Sequence, residues 1–226
     1  MNKAILHCYE QGLVNSSSLM VNTSHYEEAV EIIHQFSTIV SVGVHINLAE
    51  GKPLTDFKEI NFLKGDGSFD FSKTNKKFNF LNSGEKASFM KEISAQIDKA
   101  LSSKVKLTHI DSHCHLHTLP AFYQLFIEAA KRHNLKLRLA QTYFEGSYLN
   151  YFYRKYLNGI LKREGIGYSD YFETPDRYIN RNQGKGKTNK TTEIMLHPDL
   201  NSEGRLTDHF DEKTILAWMG FLKAGG

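Results

Sequence analysis

Between His109 and His117, four histidines and one aspartate fall within nine residues, in the run Thr108-His-Ile-Asp-Ser-His-Cys-His-Leu-His117. Imidazoles and carboxylates hold divalent ions and move protons near neutral pH. The run opens on apolar residues (Val105, Leu107) and meets a helix-like segment just after Pro120. If residues 105–111 form a strand, side chains two apart share a face. Asp111, His113, His115 and His117 then point the same way on an extended backbone. The carboxyl end of a strand, before a βα loop, is where α/β folds put their chemistry. A polar, helix-capping loop with solvated histidines is the plainer alternative. It would be the better reading of a lone histidine; four at this spacing with an aspartate favour a metal or catalytic site.

Two further strands end in a histidine. Residues 39–48 are apolar almost throughout and carry His45, and Thr192-Glu-Ile-Met-Leu-His-Pro198 carries His197. In a parallel sheet or barrel all carboxyl ends lie on one side, so residues distant in sequence converge there. Neutral imidazoles suit zinc and similar ions, and a hydrolytic site keeps three protein ligands and an open position for water. Such a metal brings the pKa of its water to about 7 and polarises a carbonyl. A base must still take the water proton, and an acid must protonate the leaving group.

The elements that would position these groups alternate. Ala4, Ile5, Cys8 and Tyr9 mark a helix face that Gly12 closes. Residues 14–21 read as a buried strand, 26–36 as an amphipathic helix opened by Ser24, and 39–48 as a second buried strand. This α-β-α-β order predicts a parallel α/β architecture. Residues 51–84 read as a long, weakly patterned insertion, either functional or mobile. A helix over 85–101 carries Phe89, Ile93, Ile97 and Leu101 at four-residue steps. Beyond the histidine run come a helix over 121–133, a strand over 135–140 and a second long insertion, 142–190. Tyr143, Phe144, Tyr148, Tyr151, Phe152, Tyr153 and Tyr156 form a packed helix face or a sugar-stacking wall. The basic run Arg181-Asn-Gln-Gly-Lys-Gly-Lys-Thr-Asn-Lys190 lacks P-loop spacing and reads as a mobile loop. A helix over 211–222 carries Trp218.

The 226 residues, 40% hydrophobic and 23% charged, suit one large soluble domain. A net charge of +3 argues for neither nucleic acid nor an anionic membrane as partner. Two cysteines, Cys8 and Cys114, make no disulfide framework and fit reduced thiols in the cytoplasm. No apolar run approaches the roughly 18 residues of a membrane span.

At the histidine strands the sequence resembles the YdjC-like family, which includes chitooligosaccharide (diacetylchitobiose) deacetylases. The matching blocks are Asn2-Lys-Ala-Ile-Leu, Gly12-Leu-Val-Asn-Ser-Ser-Ser-Leu-Met-Val-Asn22, Gly43-Val-His45-Ile-Asn-Leu with Gly51-Lys-Pro-Leu54, Thr108 to His117, Leu137-Arg138, and Ile194-Met-Leu-His197-Pro. The resemblance runs from residue 2 to about 200. It implies a distorted (β/α) barrel related to polysaccharide deacetylases, and removal of N-acetyl groups from small chitin-like sugars. It also implies a divalent metal, Mg2+ or Zn2+, held by two histidines and an aspartate. His45 and His113 match the metal histidines. His197 matches the general acid or oxyanion stabiliser, and Arg138 an arginine that orients an acidic partner. Asp111 fixes its neighbours, as ligating imidazoles need. His115 and His117 are assigned to substrate, structure or ligation alike.

The family pattern opens with a strand and Asn-Ala-Asp-Asp-Phe-Gly, the source of the third ligand and the base. The chain has no Asp-Asp pair. The expectation is a domain lacking its first strand, with weak metal binding, impaired turnover and a sheet edge open to homodimerisation. Three other readings remain: a metallophosphoesterase, an inactive carbohydrate-binding relative, and a plain α/β domain.

Overall fold

The computed structural model describes residues 1–77, 80–182 and 189–224. Helix and strand alternate through α1 (Asn2–Glu10), β1 (Ser17–Leu19), α2 (Tyr26–Gln35) and β2 (Val42–Ile46). A 3-10 turn (Ile60–Phe62), α3 (Phe71–Thr74) and α4 (Ser83–Ser102) lead to β3 (Leu107–Ser112). The 3-10 segment His113–Thr118 and α5 (Tyr123–Arg132) precede β4 (Lys136–Leu137). Then come α6 (Tyr148–Arg163), β5 (Tyr171–Glu173), α7 (Pro175–Asn182), β6 (Thr192–Ile194), the hairpin β7 (Pro198–Leu200) and β8 (Leu206–Asp208), and α8 (Glu212–Lys223).

Strands β1 to β4 lie side by side in chain order, all parallel. Leu137 bridges Gly167 in parallel, and the Thr142 N–H donates to the Phe172 carbonyl at 3.1 Å. The curl thus passes to β5, which pairs in parallel with β6. The result is the expected α/β architecture, a distorted (β/α) barrel.

Alternation along β2 explains its two faces. Val42, Val44 and Ile46 are buried in the main core, together with Ile93 and Ile97 of α4 and Phe126 and Ala130 of α5. Gly43 and His45 face the other way, into the barrel. Several boundaries differ from the sequence reading. Helix α4 begins two residues early because Asn82 and Glu85 form a reciprocal capping box. Helix α2 starts after His25 with no side-chain cap, so Ser24 is not its N-cap.

The start of the 51–84 stretch is tied down. Phe57, Phe62 and Phe89 meet edge-to-face with centroids 5.0 Å apart. The buried Glu92 carboxylate accepts the Leu54 and Thr55 backbone N–H groups. These anchors are irregularly spaced, which is why no periodicity revealed them. The 142–190 stretch holds α6, β5 and α7, and residues 183–188 of its basic run lie outside the described residues. On α6, Tyr153 turns inward and its hydroxyl donates to the Thr118 carbonyl at 3.0 Å. Tyr148, Phe152 and Tyr156 are exposed, so only part of the aromatic run is a packed face. A second apolar cluster joins Cys8 and Leu13 to Ile215 and Trp218. Among the described residues, no helix is long and apolar enough to cross a membrane.

Candidate active site

Register sets the centre of the site. In the parallel β2–β3 pair, His45 lies opposite Asp111 and Gly43 opposite His109. His45 Nδ1 stands 2.9 Å from Asp111 Oδ1, and Ser18 of β1 donates its hydroxyl to Asp111 Oδ2 at 3.2 Å. Just past β4, Arg138 reaches across and pairs its guanidinium with Asp111 Oδ2. The backbone N–H of Arg138 donates to the Ile110 carbonyl at 3.1 Å, which fixes the arginine beside β3.

Charge and tautomer follow from this packing. Burial alone would raise the Asp111 carboxyl, but Arg138 and His45 outweigh it and hold the group far below the usual carboxylate range. Asp111 is therefore an ionised, acceptor-only partner. The His45 bond then requires a proton on Nδ1, so whenever the ring is neutral its lone pair is on Nε2, facing away from Asp111. Arg138 is itself held charged, with Asp111 and Glu193 overcoming the cost of burial.

The histidine run does not stay extended, contrary to the shared-face expectation. Ladder pairing ends at Ser112, opposite Ile46. Cys114 and His115 then take left-handed backbone angles, with φ of 53° and 55°. Consecutive non-glycine residues seldom do this, and such strain gathers at functional sites. The turn fans the imidazoles apart. His113 stays at the rim, its ring centroid 5.6 Å from that of His45 and its Nε2 3.6 Å from Glu50 Oε1. His115 is half-buried, edge-on to Phe172 at 5.8 Å, and desolvation pushes its imidazole down to about 3. His117 sits deeper than the rim, its ring centroid 6.1 Å from that of His115. It packs on Phe126, and Ser112 Oγ accepts its backbone N–H and lies 2.7 Å from its Nδ1. It lies in the core beneath the loop, its Nε2 buried and without a hydrogen-bond partner among the described residues.

His197 follows β6 and is anchored by its backbone N–H, which donates to Asp208 Oδ2 at 2.7 Å. Burial lowers its imidazole, Asp208 opposes this, and the charges of Arg138 and His45 lower it further. His197 thus shares the electrostatic environment of the rim. The structure brings His45, Asp111, His113 and Arg138 together, leaves His115 and His197 within range of their charges, and buries His117 beneath them.

Sequence reasoning missed Glu193, whose Oε1 accepts from Arg138 Nε at 2.7 Å. Alternation along the strand was a usable signal, since Glu193, Met195 and His197 fall two apart. It also missed Glu50. The loop carrying Glu50 is held by the buried Asn47, whose Oδ1 accepts the Ala49 and Glu50 N–H groups at 3.1 Å each.

The implied metal was tested against these donors. His45 and His113 present two imidazoles to one space, their ring centroids 5.6 Å apart. Both Asp111 oxygens are engaged by His45, Ser18 and Arg138, so this carboxylate does not complete the set. Among the described residues no group of three or more His, Cys, Asp or Glu side chains is arranged to hold an ion. The residues present make a partial donor set that does not fit a three-ligand metal site.

A family model for YdjC-like protein matches residues 1–218. The chain belongs to the YdjC-like family. Among its relatives, a protein of Thermoanaerobacter pseudethanolicus named carbohydrate deacetylase is 29% identical over 208 residues, 88% of this chain and 75% of that protein. A carbohydrate deacetylase of Brevibacillus brevis is 30% identical across 92% of this chain and 79% of its own length. One from Vibrio parahaemolyticus is 32% identical over 138 residues, with about half of that protein covered (53%). A crystal structure from Enterococcus faecalis V583, described as a cellobiose-phosphate cleavage protein, superposes with a TM-score of 0.69 at 19% identity. It covers 89% of this chain and 77% of that one. At that identity it supports the barrel fold alone.

Proposed function

We propose that this YdjC-like chain is a carbohydrate deacetylase, a hydrolase of amide bonds whose substrate is a small N-acetylated, chitin-like oligosaccharide. The observation that carries the reading is the His45–Asp111–Arg138 chain at the strand ends, with His113 and His197 beside it, in a family whose curated relatives are named carbohydrate deacetylases. In this reading His197 is the general acid or oxyanion donor. Its half-buried imidazole, held toward the neutral form, can donate one N–H to a developing oxyanion. His45 and His113 line the space where the family resemblance places a divalent ion, Mg2+ or Zn2+, and supply two of the three protein ligands such an ion takes. Because their donor set is partial, the reading includes weak metal retention and slow turnover.

The test is acetate release from diacetylchitobiose by the purified chain, compared with His197→Ala and His113→Ala. Release above the uncatalysed rate, lost in both variants, supports the assignment. Binding of the sugar with no acetate release, unchanged by a chelator, would favour a second reading, a carbohydrate-binding relative without turnover. The partial donor set is the observation behind that alternative. A metallophosphoesterase would need carboxylates bridging two metals. The two buried carboxylates of this rim, Asp111 and Glu193, are both committed to Arg138.

A further inference from the structure

Glu193 is a buried ionisable group for which the proposed chemistry has no direct use. Its side chain on β6 is 10% exposed, and its Oε1 accepts from Arg138 Nε at 2.7 Å. Its Oε2 is buried with no hydrogen-bond partner among the described residues. One guanidinium therefore serves two carboxylates, Nη1 toward Asp111 and Nε toward Glu193. Its flat face lies over the Phe172 ring, 5.1 Å from the centroid. A guanidinium is a rigid planar fork, so fixing the direction of Nε–H fixes where Nη1 points. Asp111 in turn accepts from His45 Nδ1. A continuous line of contacts thus runs from β6, through Arg138 beyond β4, to Asp111 on β3 and His45 on β2.

We propose that Glu193 is a positioning residue: it sets the angle of Arg138, and through Arg138 and Asp111 it holds His45 in the tautomer that presents Nε2 to the site. The plain alternative is that Glu193 only balances the buried charge of Arg138. The two differ in what the oxygen must supply. Orientation needs an acceptor at Oε1, charge balance needs an anion. Glutamine keeps the acceptor and loses the anion, so it separates them. Burial raises the Glu193 carboxyl, which agrees with an acceptor that does not depend on full ionisation. The catalytic consequence rests on the deacetylase reading; the effect on His45 does not.

The experiment is 15N NMR of histidine-labelled protein, following the His45 Nδ1–H resonance, assigned by its disappearance in His45→Gln. Wild type and Glu193→Gln should keep this resonance, and Glu193→Ala should lose it to solvent exchange while melting as a folded protein. Retention in folded Glu193→Ala, or equal loss in Glu193→Gln, overturns the proposal. Should Glu193→Ala fail to fold, Arg138→Lys replaces it, keeping the charge and losing the fork: loss of the resonance supports the proposal and retention overturns it. In turnover of diacetylchitobiose, Glu193→Ala should lower kcat by about 10–100-fold with KM unchanged, the range typical of partners that orient a site ligand. If no variant or wild type releases acetate while the NMR pattern holds, the deacetylase reading fails and the positioning role stands.

Discussion

His45 and Asp111 face one another across two adjacent parallel strands, Nδ1 to Oδ1 at 2.9 Å, although 66 residues separate them in the chain. The carboxylate has no exposed surface, and Arg138 neutralises it from the other side. Asp111→Asn therefore leaves Arg138 buried with only Glu193 as counter-ion and offers His45 an amide in place of an anion. Breaking a buried pair of this kind costs about 3–5 kcal/mol. Denaturant unfolding of the variant should show a loss of that order, and a loss below about 1 kcal/mol would mean that the pair is solvated.

The same carboxylate makes stability depend on acid. Its folded pKa lies below the unfolded value of about 4, so its contribution is complete above pH 4 and fades as pH falls through the range beneath. Asp111→Asn should flatten the stability–pH curve below about pH 4. A curve with unchanged slope in that window would refute the assignment.

His109 acts at a higher pH. It sits against Tyr168 with ring centroids 4.4 Å apart, and burial pushes its imidazole from 6.5 down to about 4. A histidine kept neutral by burial contributes stability fully above its unfolded pKa. That contribution is lost as pH falls toward the folded value. His109's share of the loss between pH 6.5 and 4 should be on the order of 3 kcal/mol at most, so His109→Gln should weaken less than wild type by about that amount. Thermal melts across this range, in both proteins, provide the check.

Gly43 lies opposite His109 because no side chain fits there. A Cβ at position 43 would fall 2.5 Å from His109 Nε2 and 2.7 Å from the His109 carbonyl oxygen. Rotating the imidazole cannot relieve the backbone clash. Gly43→Ala should therefore destabilise by about 1–3 kcal/mol or more, as overpacked cores do, and should disturb the neighbouring His45. An unaltered melting temperature would show that the β2–β3 spacing is looser than described.

Metal affinity tests the partial donor set. Calorimetric titration with Zn2+ should show binding no tighter than micromolar, weakened further in His45→Ala and His113→Ala. Tight binding abolished by either substitution, and equally by Glu50→Gln, would mean that Glu50 swings its carboxylate in as a third ligand.

The pattern of the chain already contained the parallel α/β architecture, because strands buried on both faces and helices with one apolar stripe have distinct periods. It also contained the convergence of His45, Asp111, His113 and Arg138, since residue types at strand ends meet by topology. It did not contain the fan of the histidines. Cys114 and His115 adopt left-handed angles just before Leu116 and His117 enter the core, and no period in the sequence encodes that. Nor did it contain the commitment of Asp111 and Glu193 to one guanidinium. Local spacing names the groups that can reach a site. Long-range packing selects which of them meet, and burial then sets which carry charge.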